Sequence, residues 1–328
     1  MSDTATLTRI FSGIEQDLEA VDALFRERAS SNLVALNDAS IHILGSQGKR
    51  LRTAITLLSG KIFGYQRDRL IPLSAGFEMM HLASLVHDDI IDKAATRRNL
   101  PTVNSLFGDE IAILLGDFYF AKTAGLIADV NDNRVDRLFS DTVAAIVEGA
   151  ILEMLDARHI DMSYGRYIER IRGKTSCLIA ACCKGGAMVC GASDEQIHRM
   201  WQFGDAVGIA FQIIDDVLDY QGTTDSIGKP AGNDLLQGMV TLPLIYALEN
   251  AGEDRYEQVK LVLQDPLKYS DIAGDVIAWV NTCGATQKAM NEAERYGEQA
   301  RQILYSLPVS AIRDDIEQMI DFVLRRSR

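Results

Sequence analysis

The stretch SAGFEMMHLASLVHDDIID, residues 74–92, decides the fold. From Leu73 to Asp92 no proline interrupts it and Gly76 is its one glycine, so it reads as a single long helix ending in Asp88, Asp89 and Asp92. On a helix, positions i and i+4 share a face one turn apart, which sets Asp88 beside Asp92. A second cluster, Asp215, Asp216 and Asp219, follows the apolar run IAFQII in a matching setting. With only 6 prolines and 47% hydrophobic residues among 328, the chain can run long helices and bury a sizeable core. These features predict an all-α protein, and the even composition, with no linker-like stretch, predicts one domain over residues 1–328.

Working outward, residues 7–46 place apolar side chains at helical spacing and predict two helices. Gly48-Lys49-Arg50-Leu51-Arg52 opens the next. Beyond the first Asp cluster, KAATRRNLPTVNSLFG reads as a loop, and helices are expected at about 110–130, 134–155, 164–191 and 194–220. Residues 221–238 are glycine-rich and loop-like, and the tail from Asp254 predicts three or four amphipathic helices.

The net charge of -13 excludes a general nucleic-acid binder, which needs a basic face. Five cysteines, an odd number without CxxC pairs, read as reduced core residues of a cytoplasmic protein. No run of about 18 apolar residues and no signal-peptide order at the N-terminus are present, so neither secretion nor a membrane span is expected; peripheral lipid contact stays open.

A lone Asp-Asp-x-x-Asp is more often a solvated acidic helix face than a site. Here both clusters follow apolar runs, where unpartnered carboxylates are expensive. Carboxylates one turn apart suit magnesium, which prefers oxygen ligands and is completed by water and substrate phosphates. Such a site also needs fixed cations, and Lys49, Arg50, Arg52, Arg97, Arg98, Lys174 and Lys229 stand at breaks and near helix ends. His81, two turns before Asp88 on the same face, suits either an anionic second substrate or an ordinary half-buried imidazole. Thr175 and Gln212 offer uncharged oxygens that either face developing positive charge or make a structural hydrogen bond.

The chain resembles the polyprenyl synthetase family, the trans-isoprenyl diphosphate synthases, over nearly its whole length. The likeness runs in order through GKRLR (48–52), EMMHLASLVHDDIID (78–92), RRNLPT (97–102), Gly116-Asp117, Lys174-Thr175, GIAFQIIDDVLD (208–219), GKPAGND (228–234) and Thr241-Leu242-Pro243. The resemblance implies a helical bundle of the isoprenoid synthase type around a deep cavity, usually a homodimer. It also implies that Asp88, Asp89, Asp92, Asp215, Asp216 and Asp219 serve three magnesium ions and the allylic diphosphate. Arg97, Lys174 and Lys229 would contact that diphosphate. Lys49, Arg52, His81 and Arg98 match the isopentenyl diphosphate site, and Thr175 and Gln212 match residues facing the allylic cation. The implied reaction ionises the allylic diphosphate and needs no side-chain nucleophile.

Four positions depart from the family pattern: Asn99 replaces a glycine, Thr53 a proline, Met239 a lysine that longer-chain members often lack, and Glu153 a glutamine. Ala83 and Ser84 are small where farnesyl synthases place bulk, Met80 follows, and Phe77, about three turns from Asp88, is the first candidate floor for a growing tail. This predicts a hexaprenyl to octaprenyl product, with geranylgeranyl as nearest alternative. A class I terpene cyclase would carry a different second metal motif. A non-catalytic partner subunit would have lost Asp or Arg residues, although the chain is also compatible with the catalytic half of a heteromer.

Overall fold

The computed structural model describes residues 3–45, 48–222 and 231–326. It is all-α apart from one two-stranded hairpin. The chain divides into two compact units, each assembled from three separated stretches.

Unit 1 takes residues 1–144, 178–204 and 303–319. Its first helices are α1 (Asp3–Phe11), α2 (Glu15–Ala29), α3 (Val34–Gly45), α4 (Leu51–Lys61) and α5 (Arg67–Ile91). The N-terminal segment thus forms three helices where two were expected. Helix α5 starts six residues before Leu73 and carries Pro72 inside it. Its first turns are held from outside: Arg69 donates to the carbonyls of Val130 and Val189 and pairs with Asp132 at 2.8 Å. The proline therefore costs one backbone hydrogen bond without ending the helix.

Strands β1 (Thr96–Arg97) and β2 (Leu100–Pro101) then form an antiparallel hairpin, with Thr96 opposite Pro101 and Arg97 opposite Leu100. Its tip, Arg98-Asn99, has φ of 50° and 63°. Two successive left-handed residues are what a two-residue type I′ turn requires, and asparagine tolerates that backbone nearly as glycine does. This accounts for Asn99 standing where the family has glycine.

After the short helix α6 (Val103–Phe107), α7 (Asp109–Asp129) packs along α5. By length and composition alone α7 is apolar enough to cross a membrane. However, Ala112, Leu115, Gly116, Tyr119, Thr123, Leu126 and Ile127 form a buried face. The approach is close: a Cβ on Gly116 would lie 2.1 Å from His87 Nε2. The Tyr119 ring meets Phe25 edge-on at 6.1 Å.

Unit 2 takes residues 145–177, 205–302 and 320–328. It draws on the second half of α8 (Asn133–Asp156), on α9 (Tyr164–Ile171) and on a π-helical turn, Arg172–Ser176, that leads into α10 (Cys177–Val189), which from Leu178 onward belongs to unit 1. The expected single helix over 164–191 is interrupted there. Then come α11 (Asp194–Gln221), in unit 2 from Asp205 onward, α12 (Asn233–Leu236), α13 (Leu242–Leu248), α14 (Glu253–Gln264), α15 (Ser270–Thr282), α16 (Ala285–Tyr305) and α17 (Ala311–Arg325), the last in unit 2 only from Ile320. The last four match the amphipathic tail expected from the sequence. In this unit's core, α11 contributes Ile209, Ile213, Val217 and Tyr220, all nearly inaccessible.

Both Asp clusters lie toward helix C-termini. Asp88 and Asp89 occupy the last turn of α5 with Asp92 as its cap, and Asp219 sits in the last turn of α11 with Asp215 one turn earlier. The negative end of a helix dipole disfavours carboxylates and favours a cation brought to them.

Candidate active site

In unit 1 a cationic group forms around the start of α4 and the hairpin. Arg50 precedes α4 in the left-handed conformation, φ 54°, and pairs with Asp22. Exposed Lys49 stands just before it. Arg52, in the first turn, meets His81: Arg52 Nη1 lies 3.0 Å from His81 Nε2. Burial, then the charges of Arg52, Arg98 and Arg97, hold the His81 imidazole well below its usual pKa. The ring is therefore neutral, accepts from Arg52 through Nε2 and carries its proton on Nδ1. Arg98 folds back over Gly48, where a Cβ would come within 2.6 Å of its Nη2. Thus the glycine of GKRLR provides the room in which that guanidinium sits.

Unit 1 also separates the three aspartates of the first cluster. Asp89 is buried and takes a 2.8 Å hydrogen bond from Arg97 Nε. Asp88 is half-buried and Asp92 exposed.

Unit 2 gathers the remaining predicted residues on the π turn, α8 and α11. A Cβ on Gly149 would lie 2.3 Å from the Lys174 backbone N, so glycine is what lets α8 and the π turn touch. That approach lets Lys174 Nζ reach Glu153 at 2.7 Å. Thr175 Oγ1 donates to Gln212 Oε1 at 2.9 Å, and Gln212 Nε2 donates to Asp216 Oδ1 at 2.8 Å. Tyr167 completes the chain by donating to Asp216 Oδ2 at 2.7 Å. Burial raises the Asp216 carboxyl to about 7, against the hydrogen bonds from Gln212 and Tyr167. Asp219 is buried too; its carboxylate accepts from the Asp234 backbone N–H at 3.0 Å and its carbonyl from Gly232 at 2.8 Å. Lys229 lies outside the described residues.

Three participants had no assigned role in the sequence. Asp234, in GKPAGND, has its carboxyl raised well above the usual range by burial and then by Asp219 and Asp216. Tyr167 buttresses Asp216 from α9. Arg326, after the end of α17, pairs with Asp215 and stacks 3.8 Å from the Phe211 ring centroid. The order of residues around GKPAGND and the basic C-terminal end were the available signals.

Among the described residues no group of three or more His, Cys, Asp or Glu forms a ready-made metal cage. The donor set nevertheless fits magnesium. Carboxylate oxygens one turn apart at helix ends supply one or two ligands, and magnesium characteristically takes the rest from water and phosphate. Zinc and copper favour nitrogen or sulfur ligands, whereas both clusters offer carboxylate oxygens alone.

A family model described as polyprenyl synthetase matches residues 34–277. The chain is 34% identical over 322 residues to heptaprenyl diphosphate synthase component 2 of Geobacillus stearothermophilus, covering 98% of this chain and 99% of that one. The crystal structure of a decaprenyl diphosphate synthase from Rhodobacter capsulatus superposes with a TM-score of 0.92 at 32% identity, covering 98% and 99% of the two chains. A polyprenyl synthase from Caulobacter crescentus CB15, complexed with calcium and isoprenyl diphosphate, gives a TM-score of 0.93 at 28% identity, covering 98% of each.

Proposed function

The chain belongs to the polyprenyl synthetase family, and from that premise we propose how its residues divide the work of a trans-prenyltransferase. The enzyme condenses isopentenyl diphosphate with an allylic prenyl diphosphate and yields a polyprenyl diphosphate of medium to long chain. The two Asp-Asp-x-x-Asp clusters at helix C-termini, each with cationic side chains packed nearby, carry this reading. The names of the relatives, heptaprenyl and decaprenyl synthases, favour a product longer than geranylgeranyl, and our reading places it between hexaprenyl and octaprenyl.

Asp88, Asp92, Asp215 and Asp219 would hold three magnesium ions, while Asp89 and Asp216, buried and hydrogen-bonded within the protein, orient their neighbours. Bound magnesium would neutralise charge on the departing diphosphate. Lys174, Arg97 and Lys229 bind the allylic diphosphate, and Lys49, Arg52, His81 and Arg98 bind isopentenyl diphosphate. As the allylic C–O bond breaks, the Thr175 and Gln212 oxygens face the developing cation without attacking it. The isopentenyl double bond supplies the electron pair for the new C–C bond. The proton released goes to the diphosphate, so no side-chain nucleophile takes part.

The single-domain reading of residues 1–328 is supported by the interleaving of the units along the sequence. A cytoplasmic enzyme with peripheral membrane contact during product release fits a long apolar product. As an assembly we favour a homodimer. A heteromer in which this chain is the catalytic half is the second reading, favoured by the word component in the name of the Geobacillus relative. A terpene cyclase is disfavoured by the intact second Asp cluster.

Incubation of the purified chain with labelled isopentenyl diphosphate, magnesium and a series of allylic starters tests the proposal. Chromatography of the dephosphorylated products should show elongation beyond twenty carbons. Absence of elongation with every starter would rule out the lone chain as a synthase.

A further inference from the structure

The π turn is fastened to its surroundings residue by residue. Arg172 Nε donates to Asp205 Oδ1 at 3.0 Å, Ser176 Oγ donates to the same oxygen at 2.7 Å, and Thr175 donates to Gln212. These three side chains tie the turn to α11. Gly173 lies against α8 instead, since a Cβ on it would come within 2.9 Å of Gly149 Cα. Lys174 also reaches α8, where its Nζ donates to Glu153 Oε1 at 2.7 Å. Both side chains of that pair are 25% exposed, so their contact is partly shielded from water.

Gly149 and Glu153 stand one helical turn apart on α8 and share a face. Gly149 meets Lys174 at its backbone N, and Glu153 meets the same residue at the tip of its side chain. One face of α8 therefore holds Lys174 at both ends. The second contact has its own physical purpose, because lysine carries its charge on a flexible four-carbon stem. Fixing the backbone leaves that stem free to sample rotamers, and their loss opposes binding to a fixed anion. A carboxylate at the far end removes this freedom before any substrate arrives. The site concerned is the one already described, since Thr175, next in the chain, leads through Gln212 to Asp216.

We propose that Glu153 is a positioning residue, whose carboxylate holds the Lys174 ammonium in place for the diphosphate of the allylic substrate. The inference rests on the assignment of Lys174 to that diphosphate. An ammonium has three N–H donors, so a bond to Glu153 is compatible with donation to a phosphate oxygen. The proposal also gives a role to one departure from the family pattern. A glutamine at 153 would accept a neutral hydrogen bond, whereas the carboxylate here makes a charge-assisted one, which is roughly twice as strong.

The test uses Glu153→Ala and Glu153→Gln in the full chain, each alone and combined with Lys174→Met, which keeps the stem but not the charge. Farnesyl diphosphate is titrated calorimetrically with magnesium in the absence of isopentenyl diphosphate, and KM for each substrate is then measured. Glu153→Ala should weaken farnesyl diphosphate binding about tenfold and raise its KM to match. Glu153→Gln, which keeps an acceptor oxygen, should cost roughly threefold. KM for isopentenyl diphosphate should stay within about twofold, and in the Lys174→Met background both changes at 153 should have an effect below about twofold. A residue that only packs α8 would lower the melting temperature and leave farnesyl diphosphate binding alone. Unchanged binding in Glu153→Ala, or an equal loss with and without the Lys174 charge, overturns the proposal; if Glu153→Ala does not fold, Glu153→Gln decides by the same comparison. Wild-type protein that fails to bind farnesyl diphosphate at all would overturn the functional assignment itself, a different result.

Discussion

His81 and Arg52 meet through one hydrogen bond, and its direction fixes the charge state of the ring. An imidazole held well below 6.5 stays neutral in the folded chain while the unfolded chain takes up a proton. The stability this group contributes is therefore fully present above pH 6.5 and is lost as pH falls below it, by at most about 1.4 kcal/mol per pH unit. Replacing His81 by Gln, which retains an acceptor, should flatten the decline in unfolding free energy between pH 7.5 and 5.5. Parallel wild-type and variant curves would contradict the neutral assignment. At this scale the sequence singled out Lys174, Thr175, Gln212 and the aspartates from their motifs. It was silent on Tyr167, Asp234 and Arg326, whose partners are 49, 15 and 111 positions away along the chain. Only folding brings those pairs together.

The crossing of α8 with the π turn is the element on which unit 2 of the site depends. Substituting Gly149 by Ala would set a methyl carbon against the Lys174 backbone, which cannot rotate away. We expect a loss of about 1–3 kcal/mol in stability, the usual range for overpacking. A larger effect should appear on the KM for the allylic substrate, because Lys174 is displaced with its backbone. Thermal unfolding together with steady-state kinetics checks this, and a variant destabilised but kinetically normal would separate the crossing from the site. A π turn adds one residue to a helical repeat without a composition of its own, so residues 164–191 read as one helix. Helix α5 shows the converse. Its apolar periodicity was plain from Leu73 onward, whereas its first six residues depend on the tertiary contacts of Arg69 to tolerate Pro72. The hairpin was hidden for a third reason: two strands of two residues are too short to show alternation, and only the turn residues Arg98-Asn99 mark it.

For the molecule as a whole, the length of its product is the property most exposed to test. Phe77 is fully buried on α5, and its ring lies where a Cβ on Gly185 would come within 2.9 Å. Trimming Phe77 to Ala removes the first bulky side chain beyond Met80 on the face that begins at Asp88. Product analysis should show chains longer by at least one five-carbon unit; an unchanged distribution would remove Phe77 as the floor. The all-α architecture was legible because long amphipathic and buried helices impose their period on the sequence, and the -13 net charge directed attention to local cations. The partition into two units was not legible, since neither is a continuous stretch and no linker separates them.

The acidic ends of α5 and α11 would make a bound divalent cation a partner in folding as well as in chemistry. Carboxylates gathered at the negative pole of a helix are a source of internal conflict that a cation resolves, so any ligand delivering positive charge there binds the native chain in preference to the unfolded one. At a hundred times its dissociation constant such a ligand adds about 2.7 kcal/mol to the unfolding free energy. A divalent cation seated at these helix ends should therefore slow proteolysis of the native chain as well as raise its unfolding temperature.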